Sequence, residues 1–309
     1  MYWNNMTERT GGSSLNTVLE KVRAECSAAA GLTGKGVGIA VLDTGVFLHN
    51  DLKDRILAFR DILSGESLPY DDSGHGTHIC GIIAGSGKSS GGRIRGIAPG
   101  AGLVVVKVLD RNGNGSTRDL LEGIHFVLDF KEKYGIRILN ISAGSSLNLP
   151  VTEECPLVRC VDEAWDAGLT VVASAGNNGP REMSITMPGN SRKIITVGSY
   201  EDGFSIMGND RQRYDSGRGP TPAGIMKPDL VAPGFRIISC AARQNHYMIK
   251  SGTSMSAPIV SGAVALLMEK YPCITNHEIK LLLLERSDDL GLKRTHQGSG
   301  LLNLERLLS

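Results

Sequence analysis

The stretch GVGIAVLD (36–43) is a short run of β-branched and small apolar residues that stops at a carboxylate. Its residues are apolar at successive rather than alternate positions, which fits a strand buried on both faces. Runs of the same kind recur at LVVVKVL (103–109), RILNISAG (137–144), LTVVASAGNNG (169–179) and KIITVGSY (193–200). Helical patterns lie between them: SGHGTHICGIIAG (73–85), DLLEGIHFVLDFKEKYG (119–135) and VRCVDEAWDAG (158–168). The second of these places Leu120, Ile124, Val127 and Leu128 on one face, and the third ends at a glycine. Strands alternating with helices of this length need crossover connections. They predict an α/β fold with a parallel sheet covered on both sides.

Bulk properties narrow the function classes. A chain of 309 residues with no linker-like stretch is read as one large domain. Its net charge of +1, with acids and bases intermixed, argues against a nucleic-acid footprint and against a polybasic membrane surface. The longest apolar runs are strand-length, far too short to span a bilayer. The N-terminus has no basic segment followed by an apolar core, so a cytoplasmic location is expected. The six cysteines, Cys26, Cys80, Cys155, Cys160, Cys240 and Cys273, are scattered without CxxC or metal-finger spacing and are read as reduced thiols. Cys155 and Cys160 are the pair that would bridge in an oxidising compartment.

In a parallel α/β sheet, sites form beyond the carboxyl ends of the strands. The first strand ends at Asp43, within LDTGV, and the fourth at Ala175, Gly176 and Asn177. His75 lies between glycines in GHGTH where a helix begins, so a partner can approach it. GTSMSAP (252–258) runs into the apolar helical stretch IVSGAVALLMEKYP, with Ser254 near the helix start. Each has a bland reading by itself: a turn aspartate, a turn asparagine, a surface histidine, a helix cap. Together they make a chemical set. Serine is a weak nucleophile that needs an adjacent base. Histidine can take that proton and return it to a leaving amine. A buried aspartate holds the imidazole in one tautomer. An amide side chain and a backbone N–H can hold an oxyanion.

DTG around Asp43, GHGTH around His75, AGN around Asn177 and GTSMSAP around Ser254 resemble, in that order, the subtilisin-like serine proteases. The similarity runs from about residue 32 to the C-terminus, and SGRGPTPAGIMKPDLVAPG (216–234) looks like a segment of the branch that includes bacterial intracellular alkaline proteases. The resemblance implies a three-layer α/β/α sandwich around a mainly parallel sheet of about seven strands. It also implies a serine endopeptidase acting on protein or peptide substrates, with no cofactor needed for the chemistry. In that reading Ser254 attacks, His75 is the base, Asp43 orients it and Asn177 stabilises the oxyanion. Ser256 is then structural, and His78 is a neighbour of the base rather than the base.

The same resemblance assigns substrate contacts. Gly113, Asn114 and Gly115, in NGNGS after the second strand, match the segment that pairs with an extended peptide. Ser142, Ala143 and Gly144 match one wall of the pocket for the residue before the scissile bond, and Ala173 lies in the other. Thr186 falls at its base, and Glu182 reads as a solvated loop charge. Asp51 in HNDL matches a ligand of the structural Ca2+ of many relatives, whereas the companion loop GSGKSSGGRIR (85–95) has no carboxylate and three cations and could offer such an ion only backbone carbonyls. Cys80 is expected in the core beneath His75. Residues 1–31 are read as an extension with one leading helix over 14–29 packed on the body, and 32–309 as the peptidase domain.

Two alternatives belong to other classes. A pseudo-protease would use the same fold as a binding or regulatory module, but such proteins typically lack triad residues that are all present here. An α/β-hydrolase esterase would require GxSxG and the order Ser, Asp, His, whereas the serine here comes last within GTSMS.

Overall fold

The computed structural model describes residues 15–142, 155–200, 203–207 and 210–309. Its centre is a seven-stranded sheet. In chain order the strands are β1 (Gly38–Asp43), β2 (Ile56–Asp61), β3 (Gly102–Lys107), β4 (Ile136–Ile141), β5 (Thr170–Ser174), β6 (Ile195–Ser199) and β9 (Leu230–Ala232). Their spatial order is β2-β3-β1-β4-β5-β6-β9. Every pairing between these described strands is parallel. β2 and β9 were not singled out as strands by periodicity. β2 lies at the sheet edge with a largely half-exposed pattern, and β9 is three residues long.

The intervening helices are α3 (His75–Ala84), α4 (Thr117–Tyr134), α5 (Pro156–Asp166) and α6 (Thr253–Lys270). α3 and α6 pack together on one face of the sheet, and α4 with α5 on the other. α4 is bounded by a reciprocal Ser116–Asp119 capping box and by Gly135 in the left-handed region. α6 is buried around nearly its whole circumference, as its apolar sequence requires. Two hairpins, β7 (Gly203–Met207) with β8 (Asp210–Tyr214) and β10 (Ile237–Cys240) with β11 (Tyr247–Lys250), are antiparallel additions outside the central sheet.

The strand order reverses at β1. Its neighbours β3 and β4 lie to either side, so a crevice opens beyond its carboxyl end, where Asp43 sits.

The leading helix is broken. α1 (Leu15–Lys21) and α2 (Glu25–Ala29) are separate, with Arg23 between them at φ 56°. A left-handed residue cannot continue an α-helix. The turn lets Val18, Val22 and Ala24 enter the same core as the sheet. Val22 also accepts a backbone bond from Leu304, at the start of α9 (Leu304–Leu308). Residues 15–30 are thus built into the body.

Candidate active site

Asp43 is the last residue of β1, and its side chain is fully buried. Its Oδ1 accepts from the Thr44 N–H at 2.8 Å and from His75 Nδ1 at 2.7 Å. Its Oδ2 has no hydrogen-bond partner among the described residues. Because a carboxylate can only accept, Nδ1 carries the imidazole proton and Nε2 is left as the acceptor. His75 opens α3 and keeps 22% of its side chain exposed, enough to meet a substrate. Gly74, left-handed at φ 81°, and Gly76 flank it. A Cβ on Gly76 would lie 2.1 Å from the Gly45 carbonyl oxygen, so only glycine allows this approach.

Ser254 is the second residue of α6. The preceding Gly252 has φ 150°, a conformation that side chains disfavour, and its N–H donates to the Gly234 carbonyl. Gly234 belongs to the KPDLVAPG segment. Ser256 donates to the Ala232 and Pro233 carbonyls of that segment and is fully buried, which makes it structural. Ser254 instead is half-exposed, and its hydroxyl donates to the carbonyl of Ser142 at 2.7 Å. Turning about one bond would release it from Ser142. Catalytic hydrogen bonds commonly tighten only when substrate is present.

Asn177 follows β5 and is exposed, but its orientation is set. Its Oδ1 accepts from both the N–H and the hydroxyl of Thr253, at 3.1 and 3.0 Å. The Thr253 hydroxyl accepts in turn from the Gly176 N–H at 3.1 Å. With the carbonyl side of the amide engaged, Nδ2 turns to the cleft. A Cβ on Gly252 would lie 3.6 Å from Asn177 Nδ2 and 3.7 Å from both Met255 Sδ and the Ser254 nitrogen, so the two nitrogens lie on the same side of Gly252. Free N–H groups at a helix N-terminus favour negative charge there.

His78 points away from the cleft. Its Nε2 donates to the carbonyls of Ile237 and Met248, both at 3.1 Å, beneath the β10–β11 hairpin. Complete burial pushes its pKa down to about 3, so it is a neutral core residue. Cys80 is buried below the same helix, and desolvation raises its thiol well above the ordinary range. All six cysteines are free, Cys155 and Cys160 included.

The substrate-contact expectations fare unevenly. Gly113, Asn114 and Gly115 lie exposed after β3, but the turn is closed on itself. Asp110 accepts from the N–H groups of Asn112, Gly113 and Asn114, and Asp110 N–H donates to the Asn114 carbonyl. Ser142 lies at the end of β4, beside Ser254, while Ala143 and Gly144 fall outside the described residues. Ala173 is fully buried in β5, between β4 and β6. Thr186 is buried against Gly176, where a Cβ would lie 2.4 Å from the Thr186 hydroxyl. Glu182 is exposed.

Both carboxylate oxygens of Asp51 accept hydrogen bonds from the protein. Its Oδ1 accepts from the Ser89 N–H at 2.8 Å and its Oδ2 from the Tyr247 hydroxyl at 2.5 Å. The nearby metal-capable groups are the buried His49 and Cys240, an imidazole and a thiol rather than oxygens. Calcium takes six to eight oxygen ligands. The loop after α3 closes on itself through Gly87 and Ser90, and its Lys88 pairs with Asp54 at 2.7 Å.

Sequence reasoning missed the residues that brace this site: Thr44, Asp71, Asp72 and Lys107. Buried Lys107, in register with Asp43 on the next strand, donates to Asp72 and to the carbonyls of Thr44 and Leu109. A charged residue inside LVVVKVL was the signal available, since a lysine in a buried strand needs partners.

A model described as the subtilase family matches residues 34–301. Serine protease AprX of Bacillus subtilis (strain 168) is 42% identical over 275 residues, which cover 83% of this chain and 62% of that protein. Subtilisin Savinase of Lederbergia lenta is 35% identical over 287 residues, covering 93% of this chain and 96% of the relative. The crystal structure of a cold adapted subtilisin-like serine proteinase superposes with a TM-score of 0.70 at 27% identity. It covers 88% of this chain and 90% of its own.

Proposed function

The chain belongs to the subtilase family, and from that premise we propose that it is a serine endopeptidase cleaving extended protein segments through an acyl-enzyme. The observation that carries this reading is the 2.7 Å bond between His75 Nδ1 and a fully buried Asp43, which leaves Nε2 free to act as base. Ser254 Oγ attacks the scissile carbonyl as its proton passes to His75 Nε2. The imidazolium that forms is stabilised by Asp43. The new oxyanion accepts from the Ser254 N–H and from Asn177 Nδ2, donors already oriented before the charge develops. Collapse of the tetrahedral species breaks the C–N bond, and His75 returns its proton to the departing amine. Water, deprotonated by His75, then hydrolyses the ester by the same path in reverse.

The peptide would lie along the exposed loop of Gly113–Gly115, with the side chain before the scissile bond entering between Ser142 and Gly176, above Thr186. The small residues there suit a large side chain. No step calls for a metal, and the donor set at Asp51 favours a fold held there by hydrogen bonds rather than by calcium. Six free thiols suit a reducing, cytoplasmic setting. No helix among the described residues is long and apolar enough to cross a membrane.

Wild-type and Ser254→Ala proteins, compared by intact mass and on an unbiased peptide library, test the reading together with specificity and self-processing. Cleavage that survives in Ser254→Ala, or phenylmethylsulfonyl label on Ser256, would overturn it. No feature of the site favours a binding-only module.

A further inference from the structure

Two consecutive carboxylates, Asp71 and Asp72, precede the helix of His75, and the chemistry above uses neither. Asp71 accepts five hydrogen bonds. Its Oδ1 takes the Thr44 hydroxyl at 2.9 Å and the N–H groups of Ser73 and Gly74 at 3.1 and 2.8 Å. Its Oδ2 takes the N–H and the hydroxyl of Thr77 at 2.8 and 2.6 Å. Some of these bonds are what any helix start needs, since the first N–H groups of α3 want acceptors.

The Thr44 bond is not. Thr44 belongs to the other segment, one residue after Asp43, and its hydroxyl accepts in return from the Gly76 N–H at 2.9 Å. The Thr77 hydroxyl likewise accepts from Phe47 N–H, at 2.9 Å, on that same segment. One side chain therefore joins the strand end that carries the carboxylate to the helical turn that carries the imidazole. Asp72 braces the arrangement from behind. It pairs with Lys107 at 2.8 Å, and the same ammonium holds the Thr44 carbonyl at 2.7 Å.

We propose that Asp71 is a positioning residue for the reaction: a clasp between Thr44 and the first turn of α3 that sets the His75 imidazole against Asp43 and aims it at Ser254. The proposal rests on the peptidase reading above. An offset of about 1 Å in such a pair is worth roughly 100-fold in rate.

The test compares wild type with Asp71→Asn, Thr44→Val and Thr44→Ser. Thr44→Val is the discriminating variant, because it cuts the clasp and leaves the carboxylate to cap the helix. Turnover of a peptide amide is measured per active site titrated with a sulfonyl fluoride. The far-downfield proton resonance of the His75 Nδ1–H is followed by NMR. Asp71→Asn and Thr44→Val are expected to lower kcat roughly 10- to 100-fold with KM within about threefold, and to broaden or abolish the downfield signal. Thr44→Ser, which keeps the hydroxyl, is expected to retain both. Lower melting temperatures with kcat per active site and the proton signal unchanged would reduce Asp71 to a helix cap and overturn the proposal. A wild-type protein that shows the downfield signal, loses it in Thr44→Val and yet hydrolyses no amide would overturn the peptidase reading while upholding the clasp.

Discussion

Asp43 meets His75 at 2.7 Å from a position with no solvent access, while the imidazole it holds is partly open to the cleft. The carboxylate therefore decides which ring nitrogen carries the proton. Asp43→Asn keeps the shape but permits the opposite tautomer, in which Nε2 is protonated and cannot serve as base. Turnover is expected to fall about 10,000-fold with little change in substrate binding. Single-turnover acylation rates provide the check.

The Asn177 amide is held in one orientation by Thr253. Removing its donor in Asn177→Ala is expected to lower kcat roughly 100- to 1000-fold with KM nearly unchanged. Thr253→Val leaves the donor in place but removes the hydroxyl that pins its carbonyl side. The expected loss there is about tenfold, the worth of one hydrogen bond. Thr253→Ser should behave as wild type. Steady-state kinetics on one peptide amide separate the three variants.

The Asp51 carboxylate is satisfied by Ser89 and Tyr247. Asp51→Ala removes the acceptor shared by the Ser89 N–H and the Tyr247 hydroxyl, at an expected total of about 1–3 kcal/mol. Since no cation enters this account, the loss measured by denaturant unfolding is expected to be the same in excess calcium and in chelator. A calcium-dependent difference between wild type and variant would contradict it.

His78 is neutral in the folded state, its pKa lowered by burial to about 3 from 6.5. The unfolded chain therefore binds more protons between those values, and stability rises with pH across that window. The contribution is complete above about pH 6.5 and is lost as pH falls toward 3. Met has no such titration. In His78→Met the decline of melting temperature between pH 6.5 and 4 should be shallower than in wild type. Parallel melting curves for the two proteins would refute this.

Much of this was legible in the chain before any tertiary structure. β1, β3, β4, β5 and β6 announce themselves as apolar runs because a strand buried on both faces has no polar face to alternate. α4 shows itself by its apolar stripe of Leu120, Ile124, Val127 and Leu128, while its capping box of Ser116 and Asp119 became visible only in the structure. Asp43, His75, Asn177 and Ser254 were recognisable because each sits in a glycine-rich or small-residue setting that the local backbone geometry demands. β2 and β9 were harder to see, one half-exposed at an edge and the other very short. The break in the leading helix was not legible, because periodicity does not reveal a left-handed residue such as Arg23.

The sequence by itself determined the class of fold and the chemical identity of the four candidate groups at the site, because both depend on residue type and local spacing. Only the tertiary structure decided what surrounds them. It buried Ala173 within the sheet, directed His78 into the core and bonded Asp51 to a hydroxyl from a distant hairpin. It also joined Thr44 to Thr77 through Asp71. These are contacts between segments that meet only when the sheet is assembled, and hydrogen-bond geometry across such a gap leaves no periodic trace along the chain.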